Sequence, residues 1–291
     1  MSSTPLANRL AENARANAEL DRAVFPRPRR PIVLTVANQK GGVGKTTTTV
    51  NLAVALAKAG LRVVAIDADP QGNASTALGI EHPEGTASTY DVLSEEMSLQ
   101  ECLQPSPEAE TLFVCPATID LSGAELELSS RYQREFILDR AIKAFLATNR
   151  GVDLIIIDCP PSLGLLTLNA LVAAERVLVP IQAEYYALEG VSMLMNTIER
   201  IRSYLNPKLE IGAVLLTMMD ARTNLSADVA AEVRRYLPHL VLDASIPRTV
   251  KLSEAPSFGG SIFNHDPRGT GAVAYRRAAL ELAQRIAETV E

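Results

Sequence analysis

A mainly parallel α/β sheet covered by helices on both faces, of the deviant P-loop type, is the fold class this sequence predicts, and three observations carry it. From residue 32 onward, short and almost continuous apolar runs alternate with segments of helical spacing. A glycine-rich turn, Lys40-Gly41-Gly42-Val43-Gly44-Lys45-Thr46-Thr47, joins the first such run to the first such helix. Two later apolar runs end in aspartate, at Ile66-Asp67 and Ile157-Asp158, and ligands of parallel sheets bind where strands end.

Taken in order, residues 1–31 form an N-terminal extension and residues 32–291 a single domain. Thr4-Pro5 reads as a helix N-cap followed by proline at the first helical position, opening a weak, alanine-rich helix over 6–24. Pro26, Pro28 and Pro31 keep the chain extended after it. Arginines outnumber acids here, six to three, so the extension reads as disordered or weakly helical. A docking or nucleic-acid-contacting arm is the sharper alternative. With few large apolar residues, the extension is expected to be dispensable for folding. Strands are then predicted at 32–37, 63–66, 112–115, 153–157, 177–181, 211–216 and 241–246. Helices are predicted at 46–60, 132–148, 163–174, 188–205, 226–237 and 271–290. No internal repeat is present.

Composition narrows the classes. The 291 residues, 47% of them hydrophobic, suffice for one large core. No run of eighteen apolar residues exists, and the N-terminus lacks the apolar stretch of a secretion signal. Cys102, Cys115 and Cys159 are an odd number without a C-x-x-C pair, which fits buried thiols in a reduced cytoplasm. A net charge of −6 argues against a surface made wholly for nucleic acid but leaves room for a local basic patch.

The glycine turn is where the chemistry starts. Between a strand and a helix, its backbone N–H groups converge on an anion at the positive end of the helix. Lys45 can reach the β- and γ-phosphates of a nucleotide, and Thr46 can put its hydroxyl on Mg2+. The usual G-x-x-x-x-G-K-[ST] pattern fails, because its first glycine would fall on Gln39. The form K-G-G-x-x-K-[ST] fits, with Lys40 as a second lysine at the mouth of the loop. Asp67-Ala68-Asp69-Pro70-Gln71-Gly72-Asn73 sends two carboxylates from a strand end where proline stops the strand; alone it would be an ordinary Asp-Pro turn. Asp158 closes an apolar strand in the manner of an aspartate that holds Mg2+ directly or through water.

With these motifs in this order, the chain closely resembles the ParA/Soj-type chromosome-partitioning ATPases, within the MinD/ParA group of deviant P-loop proteins. The resemblance runs from about Ile32 to the C-terminus. It includes Ala37-Asn38-Gln39, the Asp69-to-Asn73 switch, Pro116-Ala117-Thr118 with Gly123-Ala124-Glu125, and Asp158-to-Gly164. Further blocks are Glu184-to-Gly190, Asp220-Ala221-Arg222-Thr223-Asn224 and Leu252-to-Ser257. It implies an ATPase with ATP cradled by Gly41, Gly42, Val43, Gly44, Lys45, Thr46 and Thr47. Thr46, Asp67 and Asp158 would serve Mg2+, and Asp69 would position the attacking water. Lys40 resembles the signature lysine that crosses a dimer interface to the partner's nucleotide. Arg222 and Lys251 match positions that contact DNA nonspecifically, with Arg248, Arg268, Arg276 and Arg277 nearby as further candidates.

The implied partners are a second copy of the chain in an ATP-dependent homodimer, nonspecific double-stranded DNA, and a ParB-type centromere-binding protein, with no membrane. The implied location is the cytoplasm, associated with the nucleoid. A MinD-like membrane-surface positioning ATPase is the alternative. It would need an amphipathic, lysine-rich C-terminal helix, whereas Tyr275, Leu282 and Ile286 read as core and the tip is acidic. An iron–sulfur reductase of the nitrogenase iron-protein kind fits less well, since Cys159 follows the aspartate directly.

Overall fold

The computed structural model describes residues 5–184, 187–220 and 223–288. Thr4, Arg222 and residues 289–291, all part of the expectations above, lie outside the described residues.

After helix α1 (Pro5–Leu20) the chain enters β1 (Ile32–Val36), α2 (Lys45–Lys58) and β2 (Val63–Asp67). Short helices α3 (Asn73–Ala77), α4 (Thr89–Leu93) and α5 (Leu99–Cys102) lead to β3 (Gln104–Pro105) and β4 (Leu112–Cys115). Then come α6 (Leu121–Leu128), α7 (Ile137–Thr148), β5 (Leu154–Asp158), α8 (Leu165–Ala173), β6 (Arg176–Gln182) and α9 (Ala187–Tyr204). The last elements are β7 (Glu210–Met219), α10 (Asn224–Tyr236), β8 (Val241–Pro247), α11 (Val250–Glu254), α12 (Ile262–His265) and α13 (Thr270–Ala287).

The eight strands among the described residues lie in the order β3-β4-β2-β5-β1-β6-β7-β8, all parallel except the two-residue edge strand β3. Burial on both faces explains the continuous apolar runs, and strand alternation divides each run between two cores. Val33, Ile155 and Ile157 point into the core beneath α7, α8 and α9, while Ile32, Leu34, Val36 and Ile156 point into the core beneath α2 and α13. Tyr275, Leu282 and Ile286 of α13 are buried in that second core, so this face of the helix is taken. Among the described residues no helix is long and apolar enough to cross a membrane.

Two expectations differ from what is seen. Helix α7 starts several residues later than predicted, because Gln133 takes a positive φ of 52° and the chain makes a 3-10 turn over Arg134–Phe136 first. The helix expected over 6–24 is present over Pro5–Leu20, but the extension is not a loose tail: it lies against α13. Ala16 and Leu20 pack on Val273, and Asn13 and Asn17 donate to the Arg268 carbonyl at 2.6 and 3.2 Å. Asp21 pairs with Arg276 at 2.8 Å, and Phe25 packs against the core under α2. Small side chains and asparagines make this contact, which is why a count of large apolar residues missed it.

Candidate functional site

The sheet brings the motifs together at one edge. Parallel pairing sets Asp67 opposite Asp158, and Asp158 opposite Val36, so the ends of β2, β5 and β1 lie side by side. Neighbouring strands are about 4.8 Å apart, which makes the two aspartates next-door groups. The glycine turn crosses directly above, between β1 and α2.

Gly42 and Gly44 hold φ of +73° and +87°, a region other residues enter at a cost. Gly44 caps α2 without any side-chain bond, so the first amides of α2 are left for an anion. A side chain at Gly41 or Gly42 would meet nothing within 4 Å, so the space above the cradle is open. The loop is anchored from below: Val43 is buried, and its carbonyl accepts from Thr217 Oγ1 at 2.8 Å. Lys45 is 7% exposed and donates from Nζ to the Lys40 carbonyl at 3.3 Å. Burial pulls its pKa below the usual lysine value, opposed by the charges of Asp158, Cys159 and Asp69.

Asp158 is fully buried. Its two oxygens accept from Thr46 Oγ1 and Thr49 Oγ1, each at 2.8 Å. Burial, and next the charge of Asp67, push it up to about 8. Asp67 accepts from the Ser75 amide and hydroxyl at 2.8 and 2.7 Å and from the Asp69 amide at 3.1 Å. Burial raises it to about 6 in spite of those bonds. Two buried carboxylates that resist ionising, beside a threonine hydroxyl and an open anion cradle, form a donor set for a hard cation. No group of three or more acids, histidines or cysteines that could cage a metal occurs among the described residues. Mg2+ suits that arrangement, because it is ordinarily held by few protein oxygens together with phosphates and water.

Asp69 is 8% exposed, and its Oδ1 accepts from the Gln71 amide at 3.0 Å. Gly72 turns the loop at a φ of +62°, where a Cβ would run into His82 and approach the Ala117 carbonyl to 3.2 Å. Lys40 pairs with Glu184 at 2.9 Å. Thr47 lies in the first turn of α2. Lys251 stands exposed on α11, 3.3 Å from Glu254. Sequence reasoning had no signal for Thr49, Ser75 or Thr217, whose hydroxyls are buried supports of the site. Glu184 lay within a quoted block but carried no assigned role.

A glycine cradle above aspartates at the ends of neighbouring parallel strands, with a lysine on either side of the glycines, defines the class: a P-loop nucleotide hydrolase of the deviant kind. The AAA domain family matches residues 32–211. The sporulation initiation inhibitor protein Soj of Bacillus subtilis is 50% identical over 86% of this chain and 98% of its own length. The chromosome partitioning protein ParA of Caulobacter vibrioides is 50% identical over 87% of this chain and 94% of its own. The chain belongs to the Soj/ParA family of chromosome-partitioning ATPases. A solved structure described as cobyrinic acid a,c-diamide synthase from Mycobacterium smegmatis, with bound ATP analogue and magnesium, is 40% identical and superposes with a TM-score of 0.73. That match covers 86% of this chain and 93% of that one. The cell division ATPase MinD of Pyrococcus furiosus is 26% identical with a TM-score of 0.70, covering 88% and 98%.

Proposed function

We propose that this chain is a DNA-segregation ATPase in which ATP closes a sandwich dimer, the dimer binds duplex DNA without sequence preference, and hydrolysis stimulated by a ParB-type centromere-binding protein releases it. Its ATPase domain spans 32–291, with 1–31 as an added extension, and it works in the cytoplasm on the nucleoid. The observation that carries the reading is the Asp158 carboxylate. It is fully buried, and both its oxygens are held by threonines of the helix that follows the glycine cradle.

In this reading the amides of 41–46 receive the phosphates of ATP, Lys45 neutralises the β- and γ-phosphates, and Thr47 serves the α-phosphate. Mg2+, held by Thr46 and by Asp67 and Asp158 through its hydration shell, would supply charge neutralisation for the leaving group. Asp69 orients the attacking water; its carboxylate is already fixed by the Gln71 amide. Lys40 leaves Glu184 and reaches the partner's nucleotide, where it offsets transition-state charge as an arginine finger does. Arg222 and Lys251 hold DNA phosphates, contacts that read no sequence.

The test is light scattering and phosphate release on three proteins. Wild type should dimerise with ATP and hydrolyse it. Asp69→Ala should dimerise and nearly cease hydrolysis. Lys40→Ala should bind ATP but dimerise weakly. A monomeric Asp69→Ala protein at saturating ATP would sink the sandwich. For DNA, Lys251→Ala and Arg222→Ala should each weaken binding to two unrelated duplexes alike and lower the salt slope by about 1.

A further inference from the structure

The phosphate loop and both segments proposed above to contact DNA are tied to three consecutive residues, Thr217, Met218 and Met219, at the end of β7. Thr217 is 2% exposed, and its Oγ1 donates to the Val43 carbonyl at 2.8 Å. That carbonyl and the Gly44 amide belong to one peptide plane and face opposite ways. The Gly44 amide is among those read above as receiving phosphate, so Thr217 grips the far side of a peptide that the nucleotide holds. A Cβ on Gly44 would come within 4.0 Å of Thr217 Cγ2, so side chain and loop are in contact as well. The Thr217 carbonyl accepts from the Ala183 amide at 3.4 Å, next to the Glu184 that holds Lys40.

Met218 has a positive φ of 53°, which a bulky side chain rarely adopts. It sits in a bulge: between the pairs Leu216–Ser245 and Met219–Pro247, β7 takes three steps where β8 takes two. The bulge brings Met219 opposite the last residue of β8. Met219 then holds both segments. Its carbonyl accepts from the Arg248 amide at 2.9 Å, three residues before Lys251. Its sulfur accepts from Ser226 Oγ at 3.6 Å, and Ser226 Oγ accepts from the Asp220 amide at 3.3 Å, two residues before Arg222. Arg248 and Lys251 are exposed. From the cradle to Arg248 the path is two hydrogen bonds and three residues of chain.

We propose that Thr217–Met219 is the relay that makes the DNA surface answer to the nucleotide, with Thr217 as a positioning residue that passes the seating of the phosphate loop to the segments bearing Arg222, Arg248 and Lys251. The proposal rests on the reading that those segments hold DNA when ATP is bound. Phosphate on the Gly44 amide fixes its peptide plane and polarises the carbonyl at the other end, which strengthens the bond from Thr217. A bulge transmits such a pull, because the ladder there is already interrupted. With the loop empty, the end of β7 is held less tightly, and the basic side chains beyond it lose their common spacing. Phosphate contacts add up only when several are made together. ATP therefore acts twice: it closes the dimer, which doubles the contacts, and through Thr217 it sets their spacing within each subunit. Were Thr217 a brace for the loop alone, its hydroxyl would be felt in ATP affinity and not in DNA affinity at equal dimer content.

The experiment uses the full chain with Asp69→Ala as parent, so that ATP stays unhydrolysed, and adds Thr217→Val, Thr217→Ser or Ser226→Ala. Valine keeps the shape of threonine and removes the hydroxyl, and serine restores it. Light scattering measures the dimer at saturating ATP, and fluorescence anisotropy on a duplex measures DNA affinity at equal dimer content. Thr217→Val should need more ATP to dimerise, and its dimer should bind DNA roughly 5- to 150-fold more weakly than the parent. Thr217→Ser should return most of that affinity. Ser226→Ala, on α10 and outside the cradle, should dimerise at the parent's ATP concentration and bind DNA more weakly. By linkage, DNA should lower the ATP concentration for half-maximal dimerisation in the parent and much less in Thr217→Val. A Thr217→Val dimer that binds DNA like the parent overturns the proposal. So does a Thr217→Val protein that fails to dimerise at any ATP concentration while Ser226→Ala binds DNA normally. A parent whose dimer gains no DNA affinity from ATP refutes the DNA reading itself, and the relay falls with it; a parent that gains affinity leaves the Thr217 and Ser226 variants to judge the relay alone.

Discussion

The sharpest consequence of the site is that the nucleotide-free protein should lose stability as pH rises toward 8, and that Asp158→Asn should prevent most of the loss. Burial and the neighbouring Asp67 push Asp158 up to about 8, against about 3.9 in an unfolded chain. Between those values the folded state holds a proton that the unfolded state has released. More protons bound in the folded state means that stability falls as pH rises through the window and levels off above about 8. One group can contribute at most about 1.4 kcal/mol per pH unit, so the fall from pH 6 to 8 is roughly 2–3 kcal/mol. For a domain of this size that lowers the melting temperature by about 5 °C or more. Asp67, raised to about 6, adds to the slope only at the acidic end.

Asparagine keeps the shape and can still meet the hydroxyls of Thr46 and Thr49, but it carries no charge. The variant should match wild type near pH 5 and exceed it by roughly 3–4 kcal/mol at pH 8. Subtracting the two melting profiles removes the groups whose surroundings the substitution leaves unchanged. With Mg2+ and ATP in large excess over their dissociation constants, wild type should gain about 3 kcal/mol or more at pH 8, and the variant should lose the Mg2+-dependent part. Differential scanning fluorimetry from pH 5 to 8.5 measures all of it. A wild-type profile that is flat or rising from pH 6 to 8, or a variant less stable than wild type at pH 8, would refute the reasoning.

Three further outcomes follow from neighbouring contacts. Glu184→Gln should tighten ATP-driven dimerisation by roughly 2- to 30-fold in light scattering, since each dimer frees two half-exposed Lys40–Glu184 pairs worth about 0.2–1 kcal/mol each; an unchanged affinity would mean that Lys40 does not leave its own chain. Gly72→Ala should cost about 1–3 kcal/mol at its positive φ and displace His82, cutting phosphate release while ATP binding persists; full activity would show that the turn adapts freely. A chain starting at Arg30 should fold and bind ATP but melt roughly 5–10 °C lower, because Leu20, Ala16 and part of Phe25 lose about 2–4 kcal/mol of burial; an unshifted melting temperature would show that the extension is not bound in solution.

What the sequence reveals and what it hides divide along physical lines. The seven longer strands and the longest helices of the ATPase domain were legible because burial on both faces of a parallel sheet writes an unbroken apolar run, and a helix over it writes a period of 3.6. The cradle was legible because only glycine reaches the φ values found at Gly42 and Gly44 without strain. Strand β3 was not, since two residues with a proline carry no periodic pattern. The supports of the site were hidden for a different reason. Thr49, Ser75 and Thr217 act through single hydroxyls, and a threonine that locks a carboxylate is spelled the same way as one that faces solvent. Only the fold distinguishes them, by bringing residues as distant as Val43 and Thr217 within 2.8 Å. The docked extension is the same case on a larger scale. Asn13, Asn17 and Asp21 read as polar tail residues, yet each meets a partner more than 250 positions away on the face of α13 or just before it. Long-range polar pairs leave no local signature, and the anchors of the proline-stiffened strap after α1 are of the same kind: Arg27 donates to the Gly60 carbonyl and Arg30 pairs with Glu175.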